Sequence, residues 1–213
     1  MNLFEPAEFS QSCPTLSMRV ADDRVRRVAP VGARLYYTSM FASMPRATGT
    51  EAVVLVLGVG NAMKGDDGFG PLLVNLLLER GAAVGTTDEF RDGRPRIVAL
   101  DCGTTPENYT SVIRRLQPGM LLIVDAAEMG LRAGECRIIA RDRIGSLGLS
   151  THSMPLTLFM SYVDDLVERI ALVGVQPHSM ALGAEMSPEV AAAADNLAEC
   201  LVRGGLEDLP VLA

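Results

Sequence analysis

The chain of 213 residues is 48% hydrophobic and 21% charged, a composition typical of a compact domain with a buried core rather than of a disordered chain. Its 19 Lys and Arg residues against 26 Asp and Glu residues give a formal net charge of −7, which argues against a surface that binds nucleic acid or anionic membranes. No apolar stretch reaches the roughly 18 residues of a membrane span, and the N-terminus lacks a signal peptide pattern, so we expect a cytoplasmic protein without membrane insertion.

Residues 1–50 differ from the rest of the chain in their composition. They contain scattered prolines, a small basic cluster and no sustained apolar periodicity. We therefore predict a poorly ordered N-terminal extension over residues 1–50 and one folded domain over residues 51–213.

From residue 51 onward, short apolar runs alternate with segments of helical period. Strands are predicted over residues 52–59, 96–101, 120–126, 135–140 and 170–175. Helices are predicted from Pro71 to Gly81, over 107–116, over 155–168 and from Ser187 to about Arg203. Strands that are apolar throughout and alternate with helices indicate an α/β fold of three layers, with a mostly parallel sheet and helices on both faces. Ligands bind at the carboxyl ends of the strands in such sheets.

The first predicted strand runs into a glycine-dense loop, GVGNAMKGDDGFG, over residues 58–70. A nucleotide site is one interpretation, but Met63 stands where a dinucleotide fingerprint needs its third glycine, and Gly65 is followed by aspartate rather than by the Lys of a phosphate loop. The carboxylates of Asp66 and Asp67 would repel phosphate. The loop therefore favours a cation.

Two further polar residues fall at the same predicted edge of the sheet. Asp125 follows the apolar run LLIV, and His152 lies in the segment STHSMP that leads into a helix. Together with Asp67 they form a set of two carboxylates and one imidazole, which suits a weak site for Ni²⁺ or Zn²⁺ with coordination positions left open. His178, after the last predicted strand, is a less convincing ligand.

Three motifs, in this order and at these intervals, resemble the hydrogenase maturation endopeptidases, the proteases that trim the large subunit of nickel–iron hydrogenases. They are GVGNAMKGDDGFGPLL, LLIVDAAEMG and THSMP. Two shorter stretches, DCGTTPEN and GVQP, resemble the branch that serves the formate-hydrogenlyase type of hydrogenase, hydrogenase 3. The resemblance covers about residues 52–203.

The resemblance implies an aspartic-type endopeptidase with a phosphorylase/hydrolase-like fold. Such an enzyme removes the C-terminal extension from the nickel-loaded precursor of the hydrogenase large subunit, and the substrate supplies the nickel, so no other cofactor is expected. The family's metal contacts fall on Asp67, Asp125 and His152, and its catalytic acids fall on Asp67, Asp125 and Asp101. We expect a monomer.

Several alternatives stay open at this point. Hydrolysis has two candidate mechanisms: a carboxylate acts as general base, or the metal polarises the carbonyl or activates water. A noncatalytic nickel-binding chaperone of hydrogenase assembly would use the same residues, and a germination-type protease would share the fold. A phosphoacceptor signalling domain would need a lysine after a late strand, but Lys64 is the only lysine of the chain.

Overall fold

The protein, described by a computed structural model over residues 53–83, 96–145, 147–149 and 154–212, is built around one mixed sheet. Its strands are β1 (Val53–Gly58), β2 (Arg96–Asp101), β3 (Met120–Glu128), β4 (Cys136–Ile139), β5 (Gly148–Leu149), β6 (Ile170–Val175) and β7 (Val211–Leu212). Its α-helices are α1 (Phe69–Glu79), α2 (Thr110–Leu116), α3 (Arg141–Ile144), α4 (Leu156–Val163) and α5 (Pro188–Val202). Short 3₁₀ turns occur at Gly65–Gly68, Pro106–Tyr109, Asp164–Leu166 and Leu206–Asp208.

The main elements follow the sequence prediction, with differences at helix ends. Helix α1 begins at Phe69 rather than at Pro71, because the turn Gly65–Gly68 leads directly into it. Pro71 lies in the first turn of the helix, where its missing N–H costs no intrahelical hydrogen bond. The helices predicted over 107–116 and 155–168 are each part 3₁₀ and part α. The predicted extension over residues 1–50 lies outside the described residues and stays a prediction.

The sheet has the strand order β2-β1-β3-β6-β4-β7, and β5 pairs with β3 off this path. Strands β2, β1, β3 and β6 are parallel, whereas β4 runs antiparallel to β6. Gly58 pairs with both Asp101 of β2 and Val124 of β3, and Asp125 pairs with Gly174 of β6. The carboxyl ends of these four strands therefore meet at one edge, which confirms the mostly parallel sheet.

Helices cover both faces of the sheet, as the three-layer prediction requires. Helices α1 and α5 pack together on one face, where Leu73, Leu77 and Leu197 are buried. Helix α4 covers the other face with Phe159 and Val163. No helix in the described ranges is long and apolar enough to cross a membrane.

Helix α1 lies directly against the end of β1. A Cβ atom placed on Gly70 would lie 2.3 Å from the carbonyl oxygen of Val59 and 2.4 Å from its nitrogen. Because both neighbours are backbone atoms, no side-chain movement relieves such a contact. This close approach fixes both ends of the loop over residues 59–68, which carries the paired aspartates.

Candidate active site

The loop over residues 59–68 is tied to two neighbouring strand ends. The amide of Val59 donates to the carbonyl of Val124 at 2.8 Å, and the amide of Gly60 donates to the carbonyl of Gly103 at 2.9 Å. Gly60 has a φ of +134°, and a Cβ there would lie 1.8 Å from the carbonyl oxygen of Asp67. Glycine at this position therefore lets the backbone of Asp67 cross the edge of the sheet.

Asp67 lies in the 3₁₀ turn Gly65–Gly68, which contacts β3, and it is only 2% exposed. Its Oδ2 accepts a hydrogen bond from the amide of Asn61 at 3.1 Å. Its Oδ1 is buried, and nothing in the described ranges donates a hydrogen bond to it. A buried carboxylate oxygen without a donor is costly unless a cation or a proton satisfies it. Asp67 therefore fits the role of a cation ligand or a proton acceptor.

Asp125 is fully buried within β3, and its Oδ1 accepts the amide of Ala126 at 2.9 Å. The strand continues to Glu128, two residues beyond its predicted end at residue 126. The neighbouring strand β1 pairs with β3 only up to Val124. Asp125 therefore lies one residue beyond the level where β1 ends, at the same edge as the loop of Asp67.

Asp101 is the last residue of β2 and pairs with Gly58, so it belongs to the same edge. Its side chain is exposed, and its Oδ1 accepts the amide of Gly103 at 2.9 Å. Its carbonyl accepts a hydrogen bond from the Tyr109 hydroxyl at 2.9 Å. The carboxylate thus stabilises the turn after β2, with one oxygen left for another donor.

The thiol of Cys102 follows Asp101 at this edge, but it is buried. Burial raises the pKa of Cys102, and the carboxylates of Asp101 and Glu107 raise it further. Since the thiolate is the nucleophilic form of cysteine, this residue is unsuited to nucleophilic catalysis at neutral pH.

The predicted histidine ligands differ in what the structure says of them. His152 lies outside the described residues. Within the described ranges, no group of three or more His, Cys, Asp or Glu residues is arranged to hold a metal. The side chain of His178 is exposed, and it is the backbone amide of His178 that contacts the site, donating to Asp66 Oδ2 at 2.7 Å.

Asp66 has a structural role that the sequence analysis did not assign. It is fully buried, and its carboxylate accepts the amides of His178 at 2.7 Å, Ser179 at 3.0 Å and Ser187 at 2.6 Å. Burial alone would raise the pKa of Asp66, but these backbone hydrogen bonds outweigh burial and lower the pKa below its ordinary value. We call this arrangement the Asp66 clamp, because it holds both ends of the loop over residues 178–187 against the turn that carries Asp67.

Gln176 orders the residues that follow β3, and it is 5% exposed. Its Oε1 accepts the amides of Met129 at 2.7 Å and Leu131 at 3.2 Å, and its Nε2 donates to Glu128 at 2.9 Å. The GVQP motif, which contains Gln176, is the sequence signal that points to this residue.

Comparisons with known proteins agree on one family. The family model described as HycI, hydrogenase maturation protease, matches residues 86–203. The hydrogenase 3 maturation protease of Escherichia coli K12 is 40% identical over 124 residues, which is 58% of this chain and 72% of that protein.

Solved structures of similar proteins also match this chain. The solution structure of an endopeptidase, HycI, from Escherichia coli aligns with a TM-score of 0.63 at 32% identity and covers 76% of this chain and 97% of that one. The crystal structure of a NiFe hydrogenase maturation protease from Thermococcus kodakarensis aligns with a TM-score of 0.58 at 34% identity and covers 74% of this chain and 94% of that one.

Proposed function

This chain belongs to the hydrogenase maturation protease family, and we propose that it removes the C-terminal extension from the nickel-loaded precursor of a nickel–iron hydrogenase large subunit. The observation that carries the proposal is the buried Oδ1 of Asp67, which has no donor in the described ranges and lies at the strand edge shared with Asp125. The enzyme acts as a cytoplasmic monomer.

The substrate's nickel is the recognition element in this proposal. Asp67, Asp125 and His152 contact it through two carboxylates and one imidazole, a donor set that suits Ni²⁺. Leu149, three residues before His152, pairs with Ala127, two residues after Asp125. Three residues of extended chain span about 10 Å, so the chain length allows His152 to reach the end of β3. A precursor without nickel lacks this anchor.

Hydrolysis is of the aspartic type in this proposal. Asp67 or Asp125 accepts a proton from a water molecule as the water oxygen attacks the scissile carbonyl, and the proton then passes to the departing amine as the C–N bond breaks. The open Oδ1 of Asp67 supports this residue as the acceptor in place of its contact to nickel, since its Oδ2 already accepts the amide of Asn61. Asp101, which is exposed at the same edge, contacts the substrate backbone. In the alternative mechanism, the substrate's nickel polarises the carbonyl.

A noncatalytic nickel chaperone is the competing function. The similar proteins bear the names of proteases and endopeptidases, so this alternative is not favoured. A chaperone would bind the nickel-loaded precursor and leave its mass unchanged.

The decisive experiment measures the mass of the C-terminal peptide of the large subunit. Cells produce the wild-type chain, Asp67→Asn or the control Asp165→Asn, which changes an exposed carboxylate beyond α4. We expect loss of the extension only with the wild type and the control, and only when nickel is supplied. If the wild type binds the nickel-loaded precursor but leaves it uncut, the protein is a chaperone and the proposed protease activity is wrong.

A further inference from the structure

Two large apolar side chains protrude from the loops around the candidate active site. Met63 is 70% exposed and Leu182 is 75% exposed, and within the described ranges no other large hydrophobic side chain is as exposed. Met63 lies in the loop after β1, and Leu182 lies in the loop over residues 178–187 after β6. We call these two residues the apolar pair.

Met63 is coupled to the carboxylate of Asp67 through Asn61. The side-chain oxygen of Asn61 accepts the amide of Met63 at 2.9 Å, and the amide of Asn61 donates to Asp67 Oδ2 at 3.1 Å. One residue thus contacts both the backbone of Met63 and the buried carboxylate. The position of Met63 relative to Asp67 is therefore set by direct hydrogen bonds.

Leu182 is held beside Met63 by the backbone. The amide of Gly183 donates to the carbonyl of Met63 at 2.8 Å. The Asp66 clamp fixes both ends of the loop that carries Leu182, and the amide of Asp66 also donates to the carbonyl of Ser179 at 3.0 Å. Backbone hydrogen bonds therefore join the two loops that carry the apolar pair, next to the turn that carries Asp67.

We propose that the apolar pair binds the polypeptide substrate, by receiving an apolar side chain of the hydrogenase precursor next to the scissile bond. This inference rests on the proposed function. Asn61 contacts both the backbone of Met63 and the carboxylate of Asp67, so a polypeptide bound at Asp67 has the backbone of Met63 close by. Burial of two large apolar side chains stabilises a complex, and the hydrogen-bonded backbones that carry them limit the ordering that binding requires.

The test compares serine variants of the full chain with matched controls. Met63→Ser, Leu182→Ser and the double variant remove the apolar surface but leave every carboxylate in place. Val211→Ser is the control, since Val211 is 39% exposed on β7, at the far end of the strand order. Thermal unfolding of each variant verifies that it is folded.

Cleavage of the purified nickel-loaded precursor gives the first readout. We expect the double variant to raise KM roughly ten- to a hundred-fold, the range that two apolar contacts provide, while kcat stays within about threefold. Met63→Leu and Leu182→Met preserve the apolar character and recover most of the lost affinity. A wild-type KM in the double variant overturns the inference and leaves the proposed protease activity intact, because the wild type still cleaves.

A second readout separates this inference from the proposed function. In the Asp67→Asn background, which removes one of the three proposed nickel contacts, binding of the precursor is measured without cleavage. We expect the double serine change to weaken the remaining affinity by the same factor. The expected loss of affinity does not depend on whether the wild type cleaves the precursor. Unchanged binding overturns the inference. Loss of a dimer of the free chain, with unchanged precursor binding, also overturns it and assigns the apolar pair to contact between copies of this chain.

Discussion

Asp66 and Asp67 are adjacent in the chain, but their carboxylates have opposite environments. Both oxygens of Asp66 accept backbone amides, so its charge is satisfied within the fold. Asp67 has one oxygen bound to the amide of Asn61 and one buried oxygen without a donor in the described part of the chain. One aspartate therefore stabilises the site, and the other is available for chemistry.

Asp66→Asn tests the stabilising role. The asparagine side chain has one oxygen and one NH₂ group, so it can no longer accept all three backbone hydrogen bonds. Its NH₂ group would face a backbone amide, and that amide would lose its acceptor. We expect the free energy of unfolding to fall by about 1–3 kcal/mol, measured by urea denaturation. Asp195→Asn, at an exposed ion pair with Arg80, is the control and changes stability by less than about 1 kcal/mol. Equal effects of the two changes would contradict the clamp.

The thiols of Cys102, which is buried, and Cys136, which is partly buried, give a prediction about reactivity. Burial raises the pKa of Cys136 to about 12, with Cys200 raising it further and Arg137 opposing, and burial also raises the pKa of Cys102. Both thiols therefore stay protonated in the folded chain up to pH 9 and above. We expect slow alkylation of both by iodoacetamide between pH 7 and pH 9, and fast alkylation in urea, as followed by peptide mass spectrometry. Fast alkylation of the folded chain would contradict this.

Individual residues were predicted unevenly from the sequence. Asp67, Asp125 and His152 were assigned to one strand edge, and Asp101 was assigned to the site by the resemblance alone. In the structure Asp125 and Asp101 lie at that edge, Asp67 lies in the turn after β1, and His152 lies outside the described residues. The distinct role of Asp66 was missed, because its partners lie 112, 113 and 121 residues away in the chain. A pair of adjacent aspartates carries no sequence signal that distinguishes a clamp from a ligand.

At the scale of elements, the contact between α1 and β1 depends on Gly70. We expect Gly70→Ala to lower the free energy of unfolding by about 3 kcal/mol, because its Cβ would meet backbone atoms of Val59. Gly145→Ala is the matched control: Gly145 has a φ of −67° and open space where a Cβ would lie, so the change costs nothing and stabilises by up to about 1 kcal/mol. Chemical denaturation measures both. A small effect at Gly70 would show that α1 can shift away from β1.

Long buried elements were predicted well, and short ones were not. Strands β2 and β6 have the predicted bounds, because each contains a short run of apolar residues, and β6 is buried along its whole length. The elements α3, β5 and β7, with four, two and two residues, were missed because they are shorter than one period of a recognisable pattern. Their positions depend on tertiary pairing, such as that of β5 with the end of β3.

At the scale of the whole molecule, the described elements begin at Val53 and end at Leu212, and both core layers draw on residues between these positions. We expect a chain that starts at Glu51 to unfold cooperatively, with a thermal midpoint within about 4 °C of the full chain, the shift that 1 kcal/mol produces in a domain of this size. Circular dichroism measures this midpoint. Aggregation or a broad transition of the shortened chain would contradict the predicted boundary.

The fold class followed from the sequence, but the strand order did not. Buried strands that alternate with helices predict a parallel sheet, and the structure confirms this for β2, β1, β3 and β6. The placement of β6 between β3 and β4 separates two strands that are consecutive in the chain. An apolar pattern indicates that a strand is buried, but it does not indicate which strand lies beside it. The position of β6 between β3 and β4 was therefore not predictable from the sequence.

The Asp66 clamp holds its loop through three main-chain amides, and this has a consequence for the sequence of the loop. Any residue except proline supplies an amide, so the clamp places little constraint on which side chains the loop carries. Exposed positions such as Leu182 can therefore change in sequence without loss of the hydrogen bonds that fix the path of the loop. A change of side chains in this loop would alter the surface beside the candidate site and leave the candidate carboxylates in place.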